Sequence, residues 1–310
     1  MRPRLIHEAQ AFGRVAVMMG GTSEEREISL KSGQAVYAAL IQQGVDAVPV
    51  DVTGSPIDAL KNLEVTRVFN MIHGRGGEDG VLQGVLEALA LPFTGSGVLA
   101  SALSMDKLRT KLCWRGLGLA TPAWFQLHSE HDVDACIAAL GFPVIVKPAQ
   151  EGSSIGMSKA CSRKELIDAW QLASQYRCEV YAEAWVNGKE YTVAVLGNEA
   201  LPVIRLETPH AFYDYDAKYR ADSTRYHCPC GLPQDTEKAL QALALGACEA
   251  LMIKGWGRVD VFIDTAGISQ LIEVNTVPGM TDHSLVPMAA KQAGMSFEEL
   301  VWRILESSFS

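Results

Sequence analysis

GWGRVDVFIDTAGISQLIEVNTVPGM, residues 255–280, decides how the rest of the chain is read. A β-branched run from Arg258 to Ile263 meets a turn at Thr265-Ala266-Gly267 and returns on Gln270 to Asn275, the pattern of a hairpin. Side chains alternate faces along a strand, so Arg258 and Asp260 share one face while Glu273 and Asn275 share a face of the return strand. A buried hairpin face should not carry a guanidinium, two carboxylates and an amide unless something charged sits among them. Two carboxylates and an amide oxygen are hard ligands of the kind Mg²⁺ takes, its remaining positions going to water and substrate phosphates. A solvated polar face is the competing reading for any one of the four. Their alternation, closed by Pro278-Gly279, favours metal-phosphate chemistry.

Just downstream, Asp282-His-Ser284-Leu285 begins a helix in which Ser284 is either a seat for a carboxylate or only a cap. Met295 to Leu305 forms a closing amphipathic helix. Upstream, Tyr191–Leu196 and Ala200–Leu206 flank Gly197-Asn198 as a second hairpin. Between the hairpins, His210 to Cys230 is long, aromatic and without periodicity, the marks of a lid. The strand Glu179 to Val186 ends in Glu183-Ala-Trp185-Val186, with Glu190 soon after. Glu183, Val186 and Glu190 could hold an adenine and its ribose, or be surface residues beside a turn. Before that, Phe142 to Lys147 reads as a strand feeding Gln150-Glu-Gly-Ser-Ser-Ile-Gly156, whose glycines and hydroxyls suit a loop laid over phosphates. Lys147, in front of such a loop, reads as a phosphate contact; the Walker and kinase patterns are both missing. Lys107 lies near the start of a further helix that opens at Asp106.

The amino-terminal third is open α/β in pattern. Val15 to Met19, the turn Gly20-Gly21-Thr22-Ser23 and an apolar stripe from Ile28 to Leu40 give strand, turn and helix, with Thr22 or Ser23 as cap and Glu24 and Glu25 in the first turn. Asp51 ends a second strand where a dinucleotide fold would bind ribose, but the glycines are not spaced G-x-G-x-x-G, which counts against the cross-class alternative of a nicotinamide dehydrogenase. A third strand, Arg67 to Ile72, enters His73-Gly-Arg-Gly-Gly-Glu-Asp-Gly80, whose glycines let backbone N–H groups approach a ligand. His73 and Glu78 are ligand contacts or ordinary loop polars.

The 310 residues, 48% hydrophobic and 20% charged, suit two or three compact soluble domains. A net charge of -9 without a Lys/Arg cluster argues against nucleic acid as main partner. No secretory h-region and no bilayer-length apolar run is present, so a cytoplasmic protein without a membrane partner is expected. The seven cysteines form no disulfide framework, and His227-Cys228-Pro229-Cys230 lacks the second pair that a zinc site needs.

Taken in order, His73-Gly-Arg-Gly-Gly-Glu-Asp-Gly80 with Leu82-Gln83-Gly84, Lys107, Lys147, Glu151-Gly-Ser-Ser154, Ala217-Lys-Tyr219, Gly257-Arg-Val-Asp260 and Glu273-Val-Asn-Thr-Val-Pro-Gly279 resemble the D-alanine-D-alanine ligases of the ATP-grasp superfamily over nearly the whole chain. The resemblance implies an α/β (α+β) ATP-grasp protein of three domains, 1–101, 102–188 and 189–310, with ATP between the antiparallel sheets of the last two. It implies that ATP phosphorylates one D-alanine carboxylate and that a second D-alanine amine attacks the acyl phosphate, for peptidoglycan precursor synthesis in a cytoplasmic homodimer. By the same resemblance Asp260, Glu273 and Asn275 hold two Mg²⁺ or Mn²⁺ ions. Lys107, Lys147, Ser154 and Lys218 contact the phosphates, Glu183, Val186 and Glu190 hold the adenine and ribose, and Glu151, Ser153 and Trp185 also belong to the cofactor site. Arg258 and the Gly279 amide stabilise the oxyanion. Glu25 takes the first substrate's ammonium near His73, Ser284 and Leu285 take the second carboxylate, and Glu25, Ser153 and Tyr219 lock the lid. Tyr219 implies an amine rather than a hydroxyl acid as nucleophile. Two departures stand out: Ala184 follows the adenine-strand glutamate where many relatives have lysine, and the tail to Phe12 is long and without an implied role. Another ATP-grasp carboxylate-amine ligase, or a degenerate nucleotide-binding regulator, are the remaining alternatives.

Overall fold

A computed structural model describes residues 4–208 and 224–309. Three sheets follow one another along the chain. In the first, β1 (Val15–Gly20) lies between β2 (Ala47–Val52) and β3 (Arg67–Asn70), all parallel. Every residue of β1 is buried, as expected of a central parallel strand covered on both faces. The period of two sorts them. Ala16 and Met18 pack with Leu82 and Leu86 of α3 (Val81–Ala88) and with Leu60 of the short helix α2 (Pro56–Leu60). Val15, Val17 and Met19 pack with Val36 and Leu40 of α1 (Arg26–Gln42), in one core with residues from the carboxyl end of the chain.

After α4 (Val98–Met105) and α5 (Lys107–Gly116) comes an antiparallel sheet of β4 (Trp124–Leu127), β7 (Val180–Ala184), β5 (Val144–Pro148) and β6 (Ser158–Ala160), in that order. Helices α6 (Val133–Leu140) and α7 (Arg163–Ala173) bury its core, α7 starting at Ser162, whose hydroxyl accepts from Glu165 N. The largest sheet runs β11 (Arg225–His227), β10 (Ile204–Glu207), β8 (Gly188–Leu196), β12 (Trp256–Asp264) and β13 (Ser269–Asn275). Helix α8 (Gln234–Ala250) shares a core with this sheet; α9 (Leu285–Gln292) and α10 (Phe297–Glu306) join its Ala194, Ile204 and Trp256 to the core that holds β1.

The structure changes three expectations. The second hairpin strand, read as Ala200–Leu206, breaks into β9 (Glu199–Ala200) and β10, both on one edge of β8, with Leu201 to Val203 between them outside both strands, although Leu201 N still donates to Ala194 O of β8 at 2.8 Å. Pro202 lies at the break, where its missing N–H cannot donate to a ladder. At the start of α1 neither Thr22 nor Ser23 is the cap: the cap position is Glu25, and Ser23 Oγ instead donates to His73 O at 2.8 Å, tying two loops together. The amino-terminal tail has a defined seat. Leu5 N and Ile6 N donate to Glu306 Oε1 at 2.8 Å each, Trp302 Nε1 donates to Ile6 O at 2.9 Å, and Arg4 pairs with Glu299 beside the Trp302 ring.

Candidate active site

The 255–280 hairpin forms as its pattern predicts, and its register joins all four polar residues. Arg258 stands opposite Asn275 and Asp260 opposite Glu273. Asp260 is buried and fully engaged: Arg258 donates to its two oxygens at 2.9 and 2.7 Å, Thr192 Oγ1 donates at 2.7 Å and Asn275 Nδ2 at 3.1 Å. Glu273 faces the Lys107 ammonium at 3.4 Å. Next to the pair the ladder slips by one residue, Val261 facing Leu271, so that Ile272 is extra on its strand. Such bulges re-aim side chains beside active sites.

Two clefts meet here. The first has a free volume of about 690 Å³ between the four-stranded sheet and the large sheet. Ile145, Met157, Val186, Phe262 and Ile272 supply its apolar walls; Lys107, Lys147, Ser154, Glu183, Glu190, Asp260 and Glu273 its polar ones, and Trp185 closes an edge with Lys159 Nζ 3.9 Å from its ring. The second, of about 410 Å³, is lined by Glu25, Gly74, Glu78, Ser104, Gly152 and Asn275 among others. Lys107 and Glu273 line both, so a group transferred between occupants of the two clefts would pass these side chains. The arrangement is an apolar slot leading to a charged junction, as a nucleotide and an acceptor require.

Local structure explains the placements. Lys107 opens α5 because Asp106 caps it, accepting from Leu108 N and Arg109 N, and its ammonium donates to Glu151 O at 2.7 Å. Ser153 and Ser154 both lie in the left-handed region, φ 52° and 60°, a cost non-glycine residues bear at functional loops. The Ser153 hydroxyl donates to Glu25 Oε1 in a short contact that latches this loop to the start of α1. Glu151 turns its side chain to Arg75 at 3.0 Å rather than into either cleft. His73 is buried with Nε2 3.5 Å from Ser32 Oγ, and burial lowers it from its ordinary value. Arg258, His73, Gly279, Ser284 and Leu285 are not walls of the second cleft. Arg258 lies on Asp260, and Ser284 stands at the cap position of α9 with its hydroxyl accepting from Thr281 N at 2.9 Å. Among the described residues the Gly279 amide has no hydrogen-bond partner. Lys218, Tyr219 and the tract read as a lid lie outside the described residues.

One residue that the sequence left open and one that it did not single out complete the site. Glu78, open there between ligand contact and ordinary loop polar, accepts from Gly74 N at 2.7 Å and Val277 N at 3.0 Å, and burial, followed by the Glu25 carboxylate, pushes it up to about 8. Lys111 is completely buried, 2.7 Å from Glu183, which also takes Lys147 at 3.2 Å. Burial pushes the Glu183 carboxyl up, but the two lysines outweigh it and hold it below its ordinary value; burial pulls Lys111 down against that carboxylate. The available signal was spacing, since Lys107, Lys111 and Trp114 fall on one face of a helix and all three are buried. The dinucleotide alternative meets a filled site. Arg26 donates to Gly21 O, Val52 O and Asp51, covering the glycine turn that would approach a pyrophosphate.

A family model described as D-ala D-ala ligase C-terminus matches residues 113–306. Over 305 residues the chain is 64% identical to a protein of Methylococcus capsulatus named D-alanine--D-alanine ligase, covering 98% of this chain and 99% of that one. Among solved structures, D-alanine--D-alanine ligase from Bacillus anthracis matches with a TM-score of 0.85 at 33% identity, covering 96% of this chain and 97% of that chain. The ligase from the same organism complexed with ATP matches at 0.83 and 30%, with the same coverage.

Proposed function

The chain belongs to the D-alanine-D-alanine ligase family, and from that membership we infer that it joins two D-alanines, with ATP, into D-alanyl-D-alanine for peptidoglycan precursor synthesis. The observation that carries this reading is the junction of two clefts at Lys107 and Glu273, one shaped for a nucleotide and one lined by the Glu25 carboxylate.

Phosphoryl transfer needs positioning and charge neutralisation more than covalent help. ATP lies in the first cleft with its adenine among Ile145, Val186, Trp185 and Phe262, near Glu183, and its ribose toward Glu190. Lys147, Ser154 and the amides of the 150–156 loop hold its phosphates, and Lys107 reaches the junction. The first D-alanine places its ammonium on Glu25 and presents its carboxylate to the γ-phosphoryl group. An oxygen of that carboxylate takes the phosphoryl group, ADP leaves the bond, and the acyl phosphate is then attacked by the amine of the second D-alanine, with phosphate leaving. Arg258, which lies on Asp260 here, and the Gly279 amide are assigned to the oxyanion of the tetrahedral intermediate. Ser284 and Leu285 receive the second carboxylate, and Lys218 and Tyr219 complete the lid.

The donor set at the junction fits divalent ions. Asp260 and Glu273 face each other with hard oxygen ligands, the Asn275 amide is alongside, and the acidic pair already draws a guanidinium and an ammonium onto itself. Asp260, Glu273 and Asn275 would hold two Mg²⁺ or Mn²⁺ ions once these replace the hydrogen bonds that Arg258 and Asn275 make to Asp260, and the ions when bound would neutralise charge on the transferring phosphoryl oxygens. The proposal also takes the chain as three domains, 1–101, 102–188 and 189–310, each with its own sheet. The enzyme acts as a cytoplasmic homodimer without nucleic acid or membrane. Its acidity speaks against a nucleic-acid partner, and among the described residues no helix is long and apolar enough to cross a bilayer.

ADP release supplies the test. D-alanine should drive it far better than L-alanine or other amino acids, and dipeptide should form in preference to depsipeptide when D-lactate competes. ADP release that followed another carboxylate and amine pair would overturn the reading.

A further inference from the structure

Lys111 lines neither cleft, yet its ammonium is placed by three residues that do not adjoin it in sequence. It lies 2.7 Å from Glu183 Oε2 and donates to Thr121 Oγ1 at 2.6 Å, and that hydroxyl donates to Leu271 O at 2.8 Å. Leu271 N in turn donates to Ala120 O at 2.9 Å. Glu183 is on β7 of the four-stranded sheet; Leu271 is on β13 of the large sheet, directly before Ile272 and Glu273 of the opposite wall. One ammonium therefore ties the two walls of the nucleotide cleft together from behind.

The chemistry of Glu183 follows from that tie. A buried carboxylate with a single cation could turn or take up a proton; with Lys111 on one oxygen and Lys147 on the other it can do neither cheaply. An ionised carboxylate only accepts, with about four lone-pair sites; Lys147 donates to one, and the Lys111 ammonium is ion-paired to the other oxygen at 2.7 Å. The rest belong to a residue that lines the cleft. A 6-amino group on a purine can donate to them, whereas a 6-keto oxygen would set lone pair against lone pair in a site shielded from water.

Resting on the assignment of this cleft to ATP, we propose that Lys111 is a positioning residue which fixes Glu183 across the two sheets as an acceptor-only recognition point, so that the enzyme selects 6-aminopurine over 6-oxopurine nucleotides. A merely structural Lys111 would support the fold without affecting which base is chosen.

The test compares kcat/KM for ATP and for inosine triphosphate, which differs at the purine 6-position, in wild type, Lys111→Met and Thr121→Val, with D-alanine as substrate. Met keeps most of the apolar stem of lysine without its ammonium and leaves Glu183 paired with Lys147. Lys111→Met is expected to lower the ATP preference about tenfold, chiefly through a higher KM for ATP and with a smaller change in kcat. Thr121→Val should move it the same way by less. A folded Lys111→Met enzyme with the wild-type preference overturns the proposal; should that variant fail to fold, an unchanged preference in Thr121→Val overturns it. Wild type using both nucleotides equally would remove the recognition at Glu183 while leaving the ATP assignment intact. Wild type using neither would overturn both.

Discussion

Asp260 and Glu273 are like charges set directly opposite each other on neighbouring strands, an arrangement that destabilises a sheet unless cations intervene. Arg258 and Lys107 supply part of that compensation, and the proposed ions would supply the rest in the working enzyme. Glu273→Gln keeps the shape and removes one charge, so it should fold normally and lose about 10²-fold or more of turnover. Near-normal ADP production by the folded variant would remove Glu273 from the metal site. Glu78 shows how burial acts on a single carboxyl. Its ordinary value of 4.5 rises to about 8 in the folded chain, burial being the main cause and Glu25 the next. The folded protein thus keeps a proton that the unfolded chain releases above about pH 4.5. The stabilisation is complete below that pH and is lost as pH rises toward 8. Gln at this position does not titrate. From about pH 5 to pH 8 the melting temperature of Glu78→Gln should therefore fall less than that of wild type, and parallel curves would show that this carboxyl ionises normally.

At the level of elements, the loop between β5 and β6 behaves as a part that other elements hold in place. Two consecutive left-handed serines cost about 1–3 kcal/mol each. The hydrogen bond from Ser153 to Glu25 and that from Lys107 to Glu151 O offset some of this by fastening the loop to α1 and α5. Ser153→Ala removes a bond to a charged acceptor, worth about 1.5–3 kcal/mol. Hydrogen exchange across residues 150–157 should then quicken and turnover should fall. Unchanged protection there would mean that the loop's own turn, Ile155 N to Gly152 O at 3.0 Å, is enough to hold it. The bulge at Ile272 acts at the same level: one extra residue brings Ile272 and Glu273 to the same cleft, which strict alternation would forbid.

Across the whole molecule, the amino-terminal tail fastens the first and last parts of the chain to each other. Its three backbone hydrogen bonds to Glu306 and Trp302 add to the edge-to-face contact of Phe12 with Trp302, centroids 4.9 Å apart. Removing residues 1–8 leaves Phe12 in place but strips Glu306 of both amides, and is expected to cost about 2–3 kcal/mol. An unchanged melting temperature would show that this tail merely rests on α10. The sequence by itself determined the hairpin and its polar face, the glycine turns, the loop after Lys147 and the open α/β beginning, because periods of two and 3.6 and the left-handed freedom of glycine are properties of neighbouring residues. Only the tertiary structure decided that Glu78 is half-buried beside Glu25, that Lys111 sits behind Glu183, that Ile272 breaks the alternation, and that the tail reaches Glu306. Each depends on desolvation or on partners brought together from distant parts of the chain, and neither leaves a local pattern to read.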